Sequence, residues 1–354
     1  MALKVVCDNK IPFLPGVLES SGVQCLYLPG AGINADAVKN ADALIVRTRT
    51  KCNAELLNGA KVKFIATATI GFDHLDTEYL KTAGIHWQNA PGCNAGSVVQ
   101  YVLSALAALK ISGGTLGIIG AGNVGGRLGQ AAEKLGFKVL LNDPPRAERE
   151  GNAAFTELPD LLAKADVVSM HVPLNATTRN LANQEFFAAM KPGGVFINTS
   201  RGEAVDEAAL KSAIAANHFS AVCLDVWQNE PDIDLALLSQ LKFGTMHIAG
   251  YSQDGKANAT AASVRGLAEF FNIAELKEFK VNNLPEPTPS KLTGRQAEDW
   301  QAAVLSTYNV ADDDAELRLH PEKFEYLRGN YRIRREFPAY TTDNFGLTAI
   351  GFKN

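Results

Sequence analysis

Thr115-Leu-Gly-Ile-Ile-Gly-Ala-Gly-Asn-Val-Gly125 decides how this chain folds. Its first five residues form an apolar run of strand length, and the residues beyond Gly125 carry Leu128, Ala131 and Leu135 at helical spacing. Gly120, Gly122 and Gly125 stand at the join, with Asn123 and Val124 between them. A strand, a glycine turn and a helix in that order make the first βα unit of a dinucleotide-binding sheet. The glycines allow a tight turn and close approach of the backbone to a pyrophosphate, whose charge meets free N–H groups at the helix start. Asp143 follows Gly125 by eighteen residues, at the end of the next apolar run. A carboxylate there accepts both hydroxyls of an adenosine ribose and repels a 2′-phosphate, so NAD is expected as the cofactor. Arg146 is the nearby group that would instead suit NADP.

Outward from this unit the rhythm repeats. Apolar runs at Lys138 to Leu141, Asp166 to Met170, Gly194 to Asn198, Ala221 to Asp225 and Thr245 to Ile248 have helical stretches between them, which suits a parallel sheet covered on both faces. Upstream, Val5-Val6, Leu26 to Leu28, Ala43 to Val46 and Phe64 to Ala66 alternate with helical stretches at Asn53 to Leu57 and Glu78 to Thr82, a separate α/β domain. Ala90-Pro-Gly-Cys-Asn-Ala95 is a turn-rich boundary, and the uncharged stretch Ser97 to Leu109 predicts a buried helix. Lys256 to Ile273 reads as a further helix. Val281 to Leu292, with Pro285, Pro287 and Pro289, reads as a linker to a last segment richer in charge and aromatics.

Bulk composition limits the partners. With 354 residues, 46% hydrophobic and 20% charged, the chain is long and mixed enough for several cored domains. Thirty-four basic against thirty-eight acidic residues leave a net charge of −4, so no overall positive field favours a nucleic acid or an anionic membrane. Cys7, Cys25, Cys52, Cys93 and Cys223 lack the paired short spacing of a metal or redox site, and no metal is expected. Met1 to Val6 runs into a strand without a signal-peptide core, and no apolar run reaches the roughly 18 residues of a membrane span, so a cytoplasmic location is expected.

Three residues carry the chemistry. Arg201, in Asn198-Thr-Ser-Arg-Gly202, lies just past a strand end, where open parallel sheets keep their functional groups. Asp225 ends the next strand, Glu230 lies in the loop beyond it, and His247 follows seventeen residues later. An acid turned onto a histidine, with an arginine opposite, is what hydride transfer from a 2-hydroxy acid requires. The histidine takes the hydroxyl proton while the arginine holds the carboxylate and the developing carbonyl.

In these motifs the chain resembles the D-isomer-specific 2-hydroxyacid dehydrogenase family: the glycine fingerprint, His171-Val-Pro-Leu174, Ser200-Arg-Gly202, Asp225-Val-Trp227 with Glu230-Pro231, and His247 occur in order between Leu3 and Ile273. The resemblance implies that Arg201, Glu230 and His247 are catalytic. It implies that Gly120, Gly122, Asn123, Val124, Gly125, Asp143, His171, Val172, Thr199, Ser200, Asp225 and Gly250 line the cofactor. Met246 stands where that family has proline.

A narrower resemblance is to the branch of the family that oxidises 4-phospho-D-erythronate on the way to pyridoxine 5′-phosphate, vitamin B6. It rests on Ala43-Leu-Ile-Val-Arg-Thr48, Thr67-Ala-Thr-Ile-Gly71, Ala90 to Ala95, Asp143-Pro-Pro-Arg146 and His247-Ile-Ala-Gly-Tyr251. In the tail it rests on Asp312-Asp-Asp-Ala315, Leu327-Arg328 and Arg334-Arg-Glu-Phe337. It implies that Arg47, Thr48, Thr69 and Tyr251 bind substrate and that the enzyme is a homodimer. The implied fold is α/β, two Rossmann-like doubly wound domains plus a small α+β C-terminal dimerisation domain. Residues 1–92 and 253–280 form the substrate-binding lid, 93–252 the NAD-binding domain and 281–354 the dimerisation domain.

Blander readings compete at single positions. His74 is expected to order a loop, the acidic run Asp312 to Asp314 to form a solvated turn, Trp227 to pack in the core, and Arg332, Arg334 and Arg335 to form a charged face at the dimer contact. For the whole chain the alternatives are a dehydrogenase for another D-2-hydroxy acid, such as phosphoglycerate or glycerate, and an NAD(H)-sensing scaffold like the corepressors that share this fold.

Overall fold

The computed structural model describes residues 2–354; Met1, at the start of the expected first strand, lies outside them. The chain divides into two compact units, one made of residues up to Asn94 with Ser252–Pro285, the other of Ala95–Tyr251 with Glu286–Asn354.

The first unit holds five parallel strands: β1 (Lys4–Asp8), β2 (Gln24–Leu28), β3 (Ala43–Val46), β4 (Phe64–Thr67) and β5 (His86–Gln88), in the order β2-β1-β3-β4-β5. Side chains on a strand alternate between faces. Val5, Cys7, Ala43, Ile45, Phe64 and Ala66 therefore share one core with Val264 and Leu267 of the helix Gln253–Phe271. Val6, Leu44, Val46 and Ile65 share another with Leu56, Leu57 and Leu80. That helix begins three residues before the expected Lys256, because Ser252 caps it, Oγ accepting from Gly255 N–H at 2.8 Å. β5 is a three-residue edge strand without an apolar run, so periodicity carried no sign of it.

The second unit holds β6 (Thr115–Ile119), β7 (Lys138–Asn142), β8 (Val167–Met170), β9 (Gly194–Asn198), β10 (Phe219–Leu224) and β11 (Phe243–Gly244), all parallel, in the order β11-β10-β9-β8-β6-β7. The chain leaves β6 for β7, then returns past β6 to β8, so the sheet reverses its winding between β6 and β8. Such a switch point opens a crevice at the carboxyl ends of the strands. The run Thr245 to Ile248, expected as a strand, is not one. β11 stops at Gly244, and the N–H groups of Ile248 and Ala249 bond to the Asp225 carboxylate instead of a neighbouring strand.

The tail packs onto this same unit. Ser104, on the buried helix Ala95–Ala108, donates to Tyr308 O (2.9 Å) and accepts from Val310 N–H (3.0 Å). Asp314 accepts Gly244 N–H at 2.7 Å, satisfying a donor on the edge strand β11. Two expectations fail here. Asp312, Asp313 and Asp314 lie in the helix Val310–Leu319, where Asp313 is buried and bonded by the hydroxyls of Tyr308 (3.0 Å) and Tyr331 (2.6 Å) and by Arg332. Arg334 and Arg335 are buried too. A buried charge needs opposite charge or several hydrogen bonds, and apart from Tyr308 the groups that supply them come from other segments of the chain.

Among the described residues no helix is long and apolar enough to cross a membrane, and no group of His, Cys, Asp or Glu could hold a metal ion. None of the five cysteines is in a disulfide.

Candidate active site

The glycine turn is built as nucleotide recognition requires. Gly120 has φ +85°, and a Cβ on it would meet the carbonyl oxygen of His171 at 2.6 Å, so the loop after β6 lies against the chain leaving β8. A Cβ on Gly125 would meet Gly120 O at 2.0 Å, so the helix packs onto the strand only without one. Gly122 differs, having nothing within 4 Å of where its Cβ would be, which leaves room for a ligand's approach. It is also the N-cap of the helix Asn123–Lys134. Asn53, Asp76, Asn183, Asp206 and Asp234 close their helices with a side chain, whereas Gly122 has none, and Asn123 and Val124 head an uncapped helix start whose N–H groups suit an anion.

Asp143 ends up at the adjoining position. One carboxylate oxygen accepts Ala121 N–H at 2.9 Å, tying it to the glycine loop, and the other caps the next helix through Arg146 N–H at 3.0 Å. A cavity of about 290 Å³ opens beside it, lined by Asn142, Asp143, Pro144, Phe155 and Thr156 among others. Arg146 is occupied by Glu150, at 2.6 and 2.9 Å, and stacks over Phe155. A guanidinium so paired is a poor site for a 2′-phosphate, which agrees with NAD.

His171 follows β8. Its Nε2 meets Ser169 Oγ at 2.9 Å and its Nδ1 meets Thr199 Oγ1 at 3.1 Å, and burial pushes its pKa down to about 3, so the ring is neutral. Val172, next along, is half-buried. Ser200 is turned inward, Oγ donating to Asn198 Oδ1 at 2.6 Å. Asn198 in turn donates to Arg201 O at 2.9 Å, bracing the turn that presents Arg201. The Arg201 guanidinium donates to Ser200 O at 2.7 Å and stays partly exposed.

Glu230 and His247 meet as their spacing suggested. Glu230 Oε2 lies 2.7 Å from His247 Nδ1, and Oε1 accepts Trp227 N–H at 3.0 Å. Burial alone would push the Glu230 carboxyl up, but His247, the Trp227 N–H and the charge of Arg328 outweigh it, and the net shift is downward. An ionised carboxylate only accepts, so Nδ1 is the donor in this contact and Nε2 takes no part in it. His247 has φ +58°, a left-handed conformation that costs a residue with a side chain roughly 1–2 kcal/mol. Asp225 helps hold it. Buried, and raised in pKa chiefly by that burial, its carboxylate accepts from Thr245 Oγ1 (2.7 Å), Ile248 N–H (2.7 Å) and Ala249 N–H (2.8 Å). From the tail, Arg334 donates to Ser97 O (2.7 Å) and Ala249 O (2.6 Å), with its guanidinium 4.2 Å from the centre of the Tyr308 ring. The short stretch after His247 is thus gripped by its amides and by a carbonyl, ahead of Gly250 and Tyr251. Sequence alone pointed to neither the Asn198 brace nor the Arg334 clamp. Trp227 is buried, as a core residue should be.

In the first unit, Arg47 is held in two contacts by the buried Asp8, at 3.1 and 3.3 Å, and Thr48 beside it is exposed. Thr69 donates to Gly71 O (2.8 Å) and shares a hydrogen bond with Thr67 (2.8 Å), which also meets His74 Nε2 (2.9 Å). His74 does order that loop.

Comparison with known proteins agrees with this geometry. Residues 96–249 match the D-isomer specific 2-hydroxyacid dehydrogenase NAD binding domain, and residues 283–346 match a domain of unknown function. The chain is 46% identical over 348 residues to the erythronate-4-phosphate dehydrogenase of Bacteroides thetaiotaomicron, covering 96% of this chain and 98% of that one. It is 39% identical over 366 residues to that of Yersinia pestis, covering 99% and 97%. Among solved structures it is similar to NAD+-bound 3-phosphoglycerate dehydrogenase of Entamoeba histolytica (TM-score 0.68, 25% identity) and to D-lactate dehydrogenase of Aquifex aeolicus with NAD and lactic acid (TM-score 0.65, 26% identity). Each covers 80% of this chain and 100% of its own. The cofactor is NAD. With its glycine turn, its acid-bound histidine and relatives that match it nearly end to end, the chain belongs to the erythronate-4-phosphate dehydrogenases, a family of D-isomer-specific 2-hydroxyacid dehydrogenases.

Proposed function

We propose that this protein oxidises the C2 hydroxyl of 4-phospho-D-erythronate to (R)-3-hydroxy-2-oxo-4-phosphooxybutanoate, with NAD as the hydride acceptor, in pyridoxine 5′-phosphate biosynthesis. The observation that carries this reading is the 2.7 Å contact between Glu230 and His247 Nδ1, which leaves Nε2 free to accept a proton. His247 Nε2 removes the hydroxyl proton as the C2 hydride leaves. Glu230 stabilises the imidazolium that forms, and Arg201 holds the carboxylate and the developing C2 carbonyl through planar, charge-assisted hydrogen bonds. NAD, when bound, supplies the electrophilic carbon that takes the hydride.

Gly120, Gly122, Asn123, Val124 and Gly125 hold the pyrophosphate, and Asp143 the adenosine ribose. His171, Val172, Thr199, Ser200, Asp225 and Gly250 form the rest of the cofactor's surroundings, His171 as a neutral ring and Asp225 as the anchor of the loop after His247. Arg47, Thr48, Thr69 and Tyr251 bind the substrate's ends. The active form is a homodimer in the cytoplasm. Exposed Leu319, Tyr326, Ile333 and Phe345, all in the tail, support an apolar contact between two copies of residues 281–354.

NADH formation from 4-phosphoerythronate, unphosphorylated erythronate and 3-phosphoglycerate, with a 2-oxo acid present to recycle any retained NADH, tests the reading. The phosphoerythronate is expected to give the highest kcat/KM. A higher value for phosphoglycerate would reject it.

A further inference from the structure

Arg328, whose charge helps to lower the Glu230 carboxyl, is not among the substrate or cofactor residues assigned above. It lies on the helix Phe324–Gly329 of the tail, in the same compact unit as Arg201, Glu230, His247 and Tyr251. Its guanidinium carbon stands 5.5 Å from the centre of the Tyr251 ring. Among the described residues its ion-pair contact is Glu325, one turn back and 3.8 Å away, beyond hydrogen-bond length. Nε is buried without a hydrogen-bond partner. The side chain is 18% exposed. A mostly buried guanidinium whose Nε has no acceptor is unfavourable unless an anion completes it.

The chemistry of the substrate says which anion is missing. Arg201 takes the carboxylate and His247 the C2 hydroxyl, which leaves the C4 phosphate, a dianion two carbons from the reacting centre, in need of positive charge. Arg47, the other cation expected at the substrate, shares its charge with buried Asp8 through two contacts and by itself leaves a dianion short of positive charge. We propose that Arg328, standing over Tyr251 with its buried Nε unmatched, binds the phosphate of the substrate and gives the enzyme its preference for a phosphorylated hydroxy acid. The tail then does more than bring copies together: it completes the substrate site of its own chain. This inference rests on the reading of the substrate as 4-phosphoerythronate.

The competing role for Arg328 is to steady the charge of Glu230, and that would affect every substrate alike. The test compares wild type with Arg328→Met and Arg328→Lys on 4-phosphoerythronate and on erythronate, at saturating NAD. For Arg328→Met, kcat/KM on 4-phosphoerythronate should fall roughly 10- to 100-fold, mainly through KM, the scale of hydrogen bonds to a charged group. On erythronate it should fall by no more than about threefold on the same scale, and Arg328→Lys should recover part of the loss. Equal losses on both substrates, or none on the phosphorylated one, overturn the proposal. Should Arg328→Met fail to fold, or erythronate turn over too slowly to measure, inhibition of Arg328→Lys decides. Inorganic phosphate should inhibit it more weakly than wild type and oxalate equally well, and a parallel change in both overturns the proposal. A wild type that shows no preference for the phosphorylated substrate rejects the substrate reading itself, whatever the variants do.

Discussion

Replacing Glu230 with glutamine isolates what its carboxylate contributes. Two donors converge on it, His247 Nδ1–H at 2.7 Å and Trp227 N–H at 3.0 Å. Glutamine offers one acceptor and one amide donor in the same shape, so one of the two N–H groups must face another donor. If Trp227 keeps its bond, His247 loses the charge-assisted partner that matters most when the ring becomes imidazolium. A hydrogen bond to a charged group is worth about 1.5–3 kcal/mol, and each 1.36 kcal/mol is tenfold in rate, so kcat should fall roughly 10- to 150-fold. KM and NAD affinity should change little, because the lost contact is with the ring that takes the proton and not with the substrate or the nucleotide. The unmatched buried N–H costs about 1–3 kcal/mol of stability, which a lowered Tm should report. Steady-state kinetics with C2-protonated and C2-deuterated substrate give the answer. A kcat within threefold of wild type, with an isotope effect showing that hydride transfer limits both enzymes, would refute the reasoning.

Other perturbations follow from the same geometry. Gly122→Ala places its methyl in open space and should keep Tm while weakening NAD binding; Gly125→Ala must displace Gly120 O and should lose about 1–3 kcal/mol of stability. Calorimetry and NAD titration separate the two, and wild-type NAD affinity in Gly122→Ala would count against the pyrophosphate assignment. Arg201→Lys should lose most of kcat/KM with NAD affinity kept, since an ammonium cannot make the planar two-point contact; near-normal turnover would remove Arg201 from the site. His171 is neutral in the fold with a pKa near 3, against 6.5 when unfolded. Between those values only the unfolded chain takes up the proton, so stability falls with acidification at up to about 1.4 kcal/mol per pH unit. Denaturant unfolding of His171→Asn should depend less on pH from 6.5 downward, and an unchanged pH slope would mean the ring is not held neutral.

The parts of this site that could be read in the sequence are those whose cause is local. Gly120 to Gly125 lie in one turn between a strand and a helix, and the steric demands on each glycine act within that turn. The meeting of Glu230 with His247 was legible because they follow neighbouring parallel strands, β10 and β11, whose ends lie together; that Arg201 joins them at the substrate belongs to the proposal. What stayed hidden depends on partners that no spacing announces. Arg334 bonds the carbonyl of Ala249, 85 residues away, and Asp313 is completed by Tyr331 and Arg332 from a different segment. Read one residue at a time, such groups look like solvated charge. Thr245 to Ile248 misled in the opposite way. Its apolar residues are buried as in a strand, but Asp225 takes its amides and frees the chain to turn at His247.

Hydride transfer from C2 is the claim on which the rest depends, and isotope transfer tests it most directly. With 4-phospho-D-erythronate deuterated at C2, deuterium should appear in the NADH formed in a single turnover, on the nicotinamide ring and absent from solvent, and His247→Ala should abolish the transfer while still binding NAD. Deuterium released to water, or NADH formed unlabelled, would contradict the account.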